Sequence, residues 1–307
     1  MKIKSLQYFL QIAEIGSLTQ AATVLYIAQP ALSRQMQQLE DELGVTLFNR
    51  SERGVTLTDA GRLLKAKATS LLRDFDSLSQ DMRDAFNEPS GTVTVAMPPS
   101  LFHLVTMPAV REYHRTYPKV SLRMFEAMSA VMNAWSMVQA GNADLAVVTN
   151  IEPLASLENE PFVTEALCLV GPPEAKLAMK APVELSLLAS LPLVLTSRPN
   201  SLRLMIEAAA AKARLPLDIV METNSSRGLL GSVEAGLGYT ALPYSGCYQA
   251  LLRKQISAAP IAGMQVAWTL IRARTQSLST AAERMRELLI GTARSQIESG
   301  LWLTGQQ

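Results

Sequence analysis

The segment GSLTQAATVLYIAQPALSRQMQQLE, Gly16–Glu40, contains two helical patterns that are separated by only a few residues. The first helix has apolar residues at helical spacing from Leu18 to Leu25, including two alanines that allow a neighbouring helix to come close. The second begins near Pro30, a residue suited to the first turn of a helix. Two helices joined by such a short turn are typical of a helix-turn-helix, in which the second helix enters the major groove of DNA.

The second of these helices separates apolar from polar side chains. Its buried face is expected to consist of Leu32, Met36, Leu39 and Leu43, which recur at helical spacing. Gln and Arg on the opposite face can form bidentate contacts with base edges, and Ser can reach bases or phosphates. The residues predicted to contact DNA from this helix are Gln29, Pro30, Ser33, Arg34 and Gln37. A helical hairpin with an ordinary solvated face is the alternative interpretation.

The segment LFNRSERGVTLT, Leu47–Thr58, predicts a small β-hairpin with apolar residues on both sides of a Ser51–Gly54 turn. Arg50 and Arg53 lie near its tip, as basic residues do in a DNA-binding wing. Residues 1–62 contain six basic and six acidic residues, so their net charge is zero. The prediction of DNA binding therefore depends on where the charges lie, because phosphate contacts are local.

A long helix is predicted from residue 58 to about residue 86, with Thr58 or Asp59 as its cap. Its apolar residues recur in alternating steps of four and three, which is the a/d spacing of a coiled coil. Such a stripe needs a partner helix. We predict dimerisation through Leu64, Ala68, Leu71, Phe75, Leu78 and Met82. Packing of the helix on its own domain is the alternative, since the stripe covers only about three heptads.

Strand and helix patterns alternate after Asn87–Thr92, a segment with Pro and Gly that is typical of a linker. This alternation predicts an α/β sandwich with largely parallel sheets. Strands are predicted at 92–97, 120–125, 143–149, 166–171, 191–196, 217–223, 238–243 and 266–272, and helices near 104–115, 130–140, 200–213, 226–236 and 278–298. The predicted domains are 1–57 for DNA binding, 58–91 for the linker helix and hinge, and 92–307 for effector binding and oligomerisation, with lobe I at about 92–161 and 266–307 and lobe II at about 162–265.

The segment FLQIAEIGSLTQAATVLYIAQPALSRQMQQLEDELGVTLFNRSERGVTLTDAGRLL resembles the winged helix-turn-helix of LysR-type transcriptional regulators. Its motif GSLTQAA…IAQPALS is especially similar to the sequences of the nitrogen-assimilation-control branch. The segments ADLAVV and GLGYTALP resemble the family's sensor-domain signatures. The resemblance covers essentially the whole chain. It implies an N-terminal winged helix-turn-helix, a long dimerisation helix and a C-terminal two-lobed α/β effector domain resembling periplasmic binding proteins. It further implies a tetramer of two dimers on an inverted repeat of double-stranded DNA, contacted by Gln29, Pro30, Ser33, Arg34 and the wing.

Polar residues at the carboxyl ends of the predicted strands indicate a ligand cleft, because ligands of open α/β sheets bind there. The strand ends supply Ser100, Thr149, Asn150, Thr196, Ser197 and Asn224. The family resemblance implies that Ser100, Ser129, Thr149, Thr196 and Ser197 line an effector cleft between the lobes. Each of these residues could instead cap a helix. Arg198 and Arg203 could pair with a carboxylate effector, although arginines at helix starts are more often solvated.

Enzymatic activity is not predicted. His103 and His114 lack suitably spaced partners for a metal site, so the only predicted ligand is an unidentified small-molecule effector, with no cofactor. Cys168 is expected to be packed inside a strand and Cys247 to be more exposed, and two cysteines fit a reducing compartment. No apolar run is long enough to span a membrane, so a cytoplasmic protein without membrane contact is expected.

These observations predict a sequence-specific DNA-binding transcriptional regulator. An effector bound between the two lobes would alter the geometry of the oligomer and the bend that it imposes on DNA. The alternatives are an effector-independent regulator of the same fold, a solute-binding protein, and an enzyme with a DNA-binding appendage.

Overall fold

The computed structural model describes residues 2–51, 54–84, 88–126, 134–149, 155–274 and 276–303. The chain forms two compact units, one comprising Met1–Phe86 with Ala140–Asn142 and the other comprising Asn87–Gln139 together with Ala143–Gln307.

Four helices and a β-hairpin make up the described part of the first unit. Its elements are α1 (Ile3–Ile15), α2 (Leu18–Val24), α3 (Gln29–Leu43), β1 (Phe48–Ser51), β2 (Gly54–Leu57) and α4 (Asp59–Asp84). The small core forms between α1, α2, α3 and the hairpin, and the rings of Phe9 and Phe48 lie 5.2 Å apart at its centre. Ala21 and Ala22 are buried, so α2 approaches its neighbours closely.

Local side-chain chemistry sets where these helices begin and end. The Ser17 hydroxyl accepts a hydrogen bond from the Gln20 amide at 3.3 Å, which caps α2. Of the two predicted caps of α4, Thr58 is the one used, because its Oγ1 accepts a bond from the Gly61 amide at 3.0 Å. Gly44 ends α3 in the left-handed conformation, with φ of +67°. Leu43, in the turn just before it, is exposed, so the prediction that it belongs to the buried face was wrong.

The second unit is an α/β structure. Its strands are β3 (Gly91–Met97), β4 (Val120–Glu126), β5 (Leu145–Thr149), β6 (Leu157–Gly171), β7 (Pro192–Leu195), β8 (Asp218–Glu222), β9 (Thr240–Pro243) and β10 (Ser257–Ala273). Its helices are α5 (Met107–Thr116), α6 (Ala134–Gln139), α7 (Ser201–Lys212), α8 (Ser226–Glu234), α9 (Tyr244–Leu252) and α10 (Thr280–Glu298). Helix α9 was not predicted, and β6 and β10 are much longer than predicted.

Six strands form one mixed sheet in the order β4-β3-β5-β10-β6-β9, and β7 and β8 pair separately. Strand β3 is parallel to β4 and β5, whereas β10 is antiparallel to β5 and β6, and β6 is antiparallel to β9. The prediction of largely parallel sheets was therefore wrong. The reason is that the two long strands, β6 and β10, pair antiparallel with each other. The short apolar segments of the sequence did not indicate the direction in which these strands run.

The β6–β10 pair is shared by the two lobes of this unit. One half of the pair lies beside β5, where Trp268 to Ile271 of β10 are in register with β5. The other half lies beside β9, which pairs with β6 from Leu167 to Val170. Strand β7 continues this second lobe, because its Leu193 bridges to Tyr239 next to β9. The two-lobed α/β fold that the sequence predicted is therefore present.

Candidate DNA-binding surface and effector cleft

Helix α3 has one buried and one open face, as its periodicity predicts. Leu32, Met36 and Leu39 are completely or almost completely buried against the core of the first unit. On the other side Gln29, Pro30, Arg34 and Gln37 are exposed, and Ser33 is half-buried. Five of the residues predicted to contact DNA thus lie on a single helix, four of them open to solvent.

Arg34 and Gln37, on the exposed face of α3, form long hydrogen bonds within the helix. Arg34 Nε donates to the Pro30 carbonyl oxygen at 3.4 Å, and Gln37 Nε2 donates to Asp41 Oδ1 at 3.4 Å. Both bonds are long and solvent-exposed, so they contribute little to stability. A partner with hydrogen-bonding groups can replace them at small cost.

The hairpin β1–β2 is attached to α3 by Glu40. Glu40 Oε1 accepts hydrogen bonds from the backbone amides of Leu47 at 2.7 Å and Phe48 at 3.2 Å. Bonds to an ionised carboxylate are among the stronger hydrogen bonds in proteins. Glu40 therefore positions the start of the hairpin relative to the recognition helix. The sequence indicated only that acidic residues gather at the end of this helix.

A second attachment joins the hairpin to the turn between α1 and α2. The Val55 amide donates to the Gly16 carbonyl oxygen at 2.8 Å. Gly54 faces the same carbonyl, and a Cβ at this position, where φ is +126°, would lie 2.6 Å from that oxygen. Only glycine fits this close approach without displacing the backbone. The predicted wing residue Arg53 and the side chain of Arg50 lie outside the described part of the structure.

The apolar stripe of α4 divides into two parts. Leu64 packs against the core of the first unit, and Ala68 is buried. Further along the helix Leu71, Phe75 and Leu78 are 49%, 46% and 62% exposed. The start of the stripe thus packs on its own domain, as the alternative interpretation proposed. The later residues remain exposed and available to a partner helix. The side chain of Met82 lies outside the described part of the structure.

Three of the predicted cleft residues lie where β7 and β8 end. The Ser197 amide donates to Asn224 Oδ1 at 3.1 Å, which joins the two strand ends. Thr196 precedes Ser197, and its carbonyl oxygen accepts a bond from Arg203. The caps of the following helices are other residues, Asn200 for α7 and Ser225 for α8. The capping alternative is therefore wrong for Thr196, Ser197 and Asn224.

Arg203 is buried, and the expectation that it is solvated was wrong. Only 4% of the residue is exposed, and it forms ion pairs with Glu207 at 2.7 Å and Glu222 at 3.1 Å. Arg198 also pairs with Glu207, at 2.9 Å. The hydrogen bond from Arg198, followed by that from Arg203, holds the pKa of the Glu207 carboxyl below its usual value. Both arginines thus have carboxylate partners within the chain.

The other cleft candidates lie on the first lobe. Thr149 ends β5 in register with Trp268, and its Oγ1 is buried without a hydrogen-bond partner among the described residues. Ser100 lies on a short turn against α9, where a Cβ on Gly246 would be 3.1 Å from Ser100 Oγ. Ser129 and Asn150 lie outside the described part of the structure.

One pocket, of about 390 Å³, lies between β6, β10 and the start of α10. Two ion pairs occupy its rim, Arg272 with Glu158 at 2.5 Å and Arg286 with Glu160 at 2.7 Å. Of the predicted cleft residues that the structure describes, none lines it. This pocket is therefore separate from the strand ends that carry the effector prediction.

Both cysteines are buried, so the expectation that Cys247 is more exposed was wrong. The reason is helix α9, which places Cys247 against the sheet. A hydrogen bond with Cys168, followed by burial, raises the pKa of the Cys247 thiol. A protonated, enclosed thiol is a poor nucleophile. Among the described residues no group of His, Cys, Asp and Glu could hold a metal ion, and no helix is long and apolar enough to cross a membrane.

Two family models match the chain. Residues 3–62 match the bacterial regulatory helix-turn-helix protein, lysR family, and residues 86–294 match the LysR substrate binding domain. The chain belongs to the LysR family of transcriptional regulators. Its relatives include the nitrogen assimilation regulatory protein nac of Escherichia coli K12, 30% identical over 97% of both chains. The nac protein of Klebsiella aerogenes is 31% identical over 94% of both chains.

Solved structures of LysR-type regulators share this fold. A full-length variant of OxyR from Pseudomonas aeruginosa superposes with a TM-score of 0.70 at 22% identity, covering 96% of this chain and 95% of that one. Full-length CbnR complexed with its target DNA superposes with a TM-score of 0.67 at 22% identity, covering 95% of this chain and all of that one. The predicted family, the winged helix-turn-helix with a two-lobed α/β domain, and the function of a DNA-binding LysR-type regulator with an effector-binding domain are confirmed.

Proposed function

We propose that this LysR-type regulator reads operator DNA with the exposed face of α3. The observation that carries the proposal is the division of this helix, which buries Leu32, Met36 and Leu39 and leaves the opposite side open. In a helix-turn-helix the residues near the start of the second helix contact base edges. The residues in this position are Gln29, Pro30, Ser33, Arg34 and Gln37.

The hairpin β1–β2 is proposed to grip the DNA backbone with Arg50 and Arg53. Glu40 and the Gly16 carbonyl oxygen fix this hairpin relative to the start of α3. A wing held in this way can contact phosphates while α3 lies in the major groove. Phosphate contacts set register and affinity, and base contacts set sequence preference.

A dimer formed through the later part of α4 is proposed to bring two such units onto an inverted repeat. Leu71, Phe75 and Leu78 repeat at coiled-coil spacing and are exposed on one chain. We include Met82 in this stripe from its sequence position, with Leu64 and Ala68 at the edge of the interface. Two dimers would then form the tetramer that binds double-stranded DNA.

The effector is proposed to bind between the lobes, in a cleft lined by Ser100, Thr149, Thr196, Ser197 and Asn224. Ser129 and Asn150 complete the proposed set. The Thr149 hydroxyl, which has no hydrogen-bond partner among the described residues, and the joined strand ends of Ser197 and Asn224 support this site. Lobe I would comprise about 92–161 and 266–307, and lobe II about 162–265. A ligand that favours one lobe angle would shift the tetramer between states that bend DNA differently.

An effector-independent regulator is the second candidate, and one observation favours it. Arg198 and Arg203, which could have bound an anionic effector, are paired with Glu207 and Glu222. An anionic effector would have to displace a carboxylate from these arginines, which costs part of its binding free energy. We further propose that the protein acts in the cytoplasm, requires no cofactor and catalyses no reaction.

The DNA interface can be tested with three arginine variants. Arg34→Ala should cost about 1 to 3 kcal/mol of operator binding and change the base preference. Arg53→Ala should weaken specific and non-specific binding alike and reduce the salt dependence by about one phosphate contact. Arg294→Ala, on the exposed side of α10, is the matched control for loss of one charge. Wild-type affinity of both Arg34→Ala and Arg53→Ala would refute the assignment.

The effector site can be tested by bending assays on the identified operator. Candidate metabolites are added to the full-length protein, and the DNA bend is measured with and without the double substitution Thr149→Val with Ser197→Ala. A metabolite that changes the bend only for the unsubstituted protein supports the cleft. An unchanged bend with every metabolite, together with normal DNA binding, supports the effector-independent regulator.

A further inference from the structure

A buried carboxylate, Glu165, lies at the centre of the second unit and accepts four hydrogen bonds. The Ser245 hydroxyl and backbone amide both donate to it at 2.7 Å. The indole N–H groups of Trp268 and Trp302 donate at 2.5 Å and 3.0 Å. These donors come from α9, from β10 and from the segment Leu301–Leu303 that follows α10. A single side chain thus connects β6 with three other parts of the fold.

No cation pairs with Glu165 within the described residues. The titratable groups that interact with it are Tyr244 and Cys247 on α9. Burial raises the pKa of Tyr244 to about 12 and the pKa of Cys247 is also raised, so Tyr244 and Cys247 are neutral at physiological pH. Burial likewise raises the pKa of Glu165, while the four hydrogen bonds oppose this shift. The negative charge of the carboxylate is therefore stabilised by hydrogen bonds and not by a cation, and the loss of any donor destabilises the fold.

Glu165 lies near the middle of the strand pair that the two lobes share. It is opposite Val266 in the β6–β10 register, between the half beside β5 and the half beside β9. The register shifts on either side, between Pro260 and Gln265 and between Trp268 and Thr269. Such irregularities let a strand pair bend. A change in the angle between the lobes therefore requires the β6–β10 pair to bend in this part.

The segment Leu301–Leu303 is attached to the same place. Trp302 is 1% exposed, and its backbone amide donates to the Gln296 carbonyl oxygen at 2.9 Å. The Tyr244 hydroxyl donates to the Leu301 carbonyl oxygen at 3.2 Å. The segment is therefore packed against the start of α9 on the side of Glu165. Withdrawal of Trp302 would remove an indole donor from a buried anion and open a cavity in the core.

We propose that Glu165 is a positioning residue that couples the segment Leu301–Leu303 to the bend of the β6–β10 pair, so that this segment acts as a strap on the hinge between the lobes. With the strap seated, four donors hold the carboxylate and the hinge is stiff. With the strap withdrawn, Glu165 must find another donor or a water molecule, which requires β6, β10 and α9 to move apart. Movement of the strap and bending of the hinge are thus coupled.

The test uses the full-length protein labelled with 5-fluorotryptophan and observed by ¹⁹F NMR. The chain has three tryptophans, and Trp135 on α6 is outside the cluster and serves as an internal reference. The substitution Trp302→Phe preserves an aromatic ring but removes the donor. It should shift the Trp268 resonance and leave that of Trp135 in place. Hydrogen exchange of the amides that are bonded in the β6–β10 ladder beside Glu165 should become about tenfold faster, because the loss of one bond to a buried carboxylate favours local opening.

The pH profile separates coupling through the carboxylate from simple packing. As the pH is lowered from 8, the Trp268 and Trp302 resonances should shift together, with one midpoint above the usual range for Glu. In Glu165→Gln this common titration should disappear. Trp135→Phe is the control for loss of an indole and should leave exchange at the hinge unchanged. Unchanged hinge exchange and an unmoved Trp268 resonance in Trp302→Phe would overturn the proposal, even if Glu165→Gln fails to fold.

Discussion

The substitution Glu40→Ala tests whether a carboxylate on α3 positions the wing. It removes both bonds from Glu40 Oε1, to the Leu47 amide at 2.7 Å and to the Phe48 amide at 3.2 Å. Hydrogen bonds to charged groups contribute about 1.5 to 3 kcal/mol each, but Glu40 is only half-buried and water can replace it. We therefore expect the pair to contribute about 2 kcal/mol, which corresponds to roughly 30-fold more frequent local opening of the hairpin.

Hydrogen exchange on the full-length protein measures this opening directly. The amides of Leu47 and Phe48 should exchange roughly 30-fold faster in Glu40→Ala, while amides of β3 and β4 in the other unit keep their rates. Operator binding should weaken and its salt dependence should fall, because the proposed phosphate contacts of Arg50 and Arg53 are carried by this hairpin.

The matched control is Glu14→Ala, which removes one negative charge from an exposed position of α1. Loss of an acidic charge alone should leave DNA binding unchanged or slightly stronger, because repulsion from phosphate decreases. Glu40→Ala should therefore weaken operator binding, whereas Glu14→Ala should leave it unchanged or strengthen it. Wild-type exchange rates of Leu47 and Phe48 in Glu40→Ala would refute the positioning role, and equal binding by the two variants would show that only charge matters.

Three further predictions concern packing and burial. Gly61→Ala should destabilise the first unit by several kcal/mol in urea unfolding, because a Cβ would overlap with a backbone carbonyl at the start of the hairpin. Arg203→Met should destabilise the second unit by about 3 kcal/mol, since it leaves Glu207 without its buried partner. Native Cys168 and Cys247 should react with iodoacetamide at pH 8 far more slowly than the denatured protein, because both are enclosed and the pKa of Cys247 is raised.

Two variants serve as controls for the first pair of these predictions. Gly291 lies inside α10 with open space around the position of a Cβ, so Gly291→Ala should stabilise by about 0.5 to 1 kcal/mol. Arg198 also pairs with Glu207, but its side chain is 67% exposed, so Arg198→Met should cost less than about 1 kcal/mol. A destabilised Gly291→Ala, or equal losses for the two arginines, would contradict the packing argument.

The first unit was predictable because its information is local. Helical spacing alone placed Leu32, Met36 and Leu39 inside and Arg34 outside, and no distant residue was needed. The stripe of α4 was predicted correctly as apolar, but periodicity could not show that Ala68 is covered by the chain's own domain and Leu71 is not. That distinction depends on where the neighbouring helices end, which is a property of tertiary packing.

The second unit was predicted less completely because its decisive contacts are distant in sequence. Strand β6 includes Pro161 and β10 includes Pro260, and prolines in an otherwise apolar pattern made both strands look shorter than they are. Helix α9 begins in the segment YSGC, which has weak helical propensity. It is held by Glu165, 80 residues away from its partner Ser245. No local pattern carries such a bond.

The structural roles of two glutamates could not be predicted from the distribution of charge along the sequence. Glu40 counts as one of six negative charges that cancel the basic residues of the first 62 positions, yet its structural role is to accept two backbone amides of the wing. Glu165 has the same role toward α9 and two indoles. In both cases the carboxylate adds hydrogen bonds between elements that also pack together through buried apolar side chains. Substitution by glutamine, which preserves size and removes charge, should therefore be more harmful at these two positions than at any exposed glutamate of the same helices and strands.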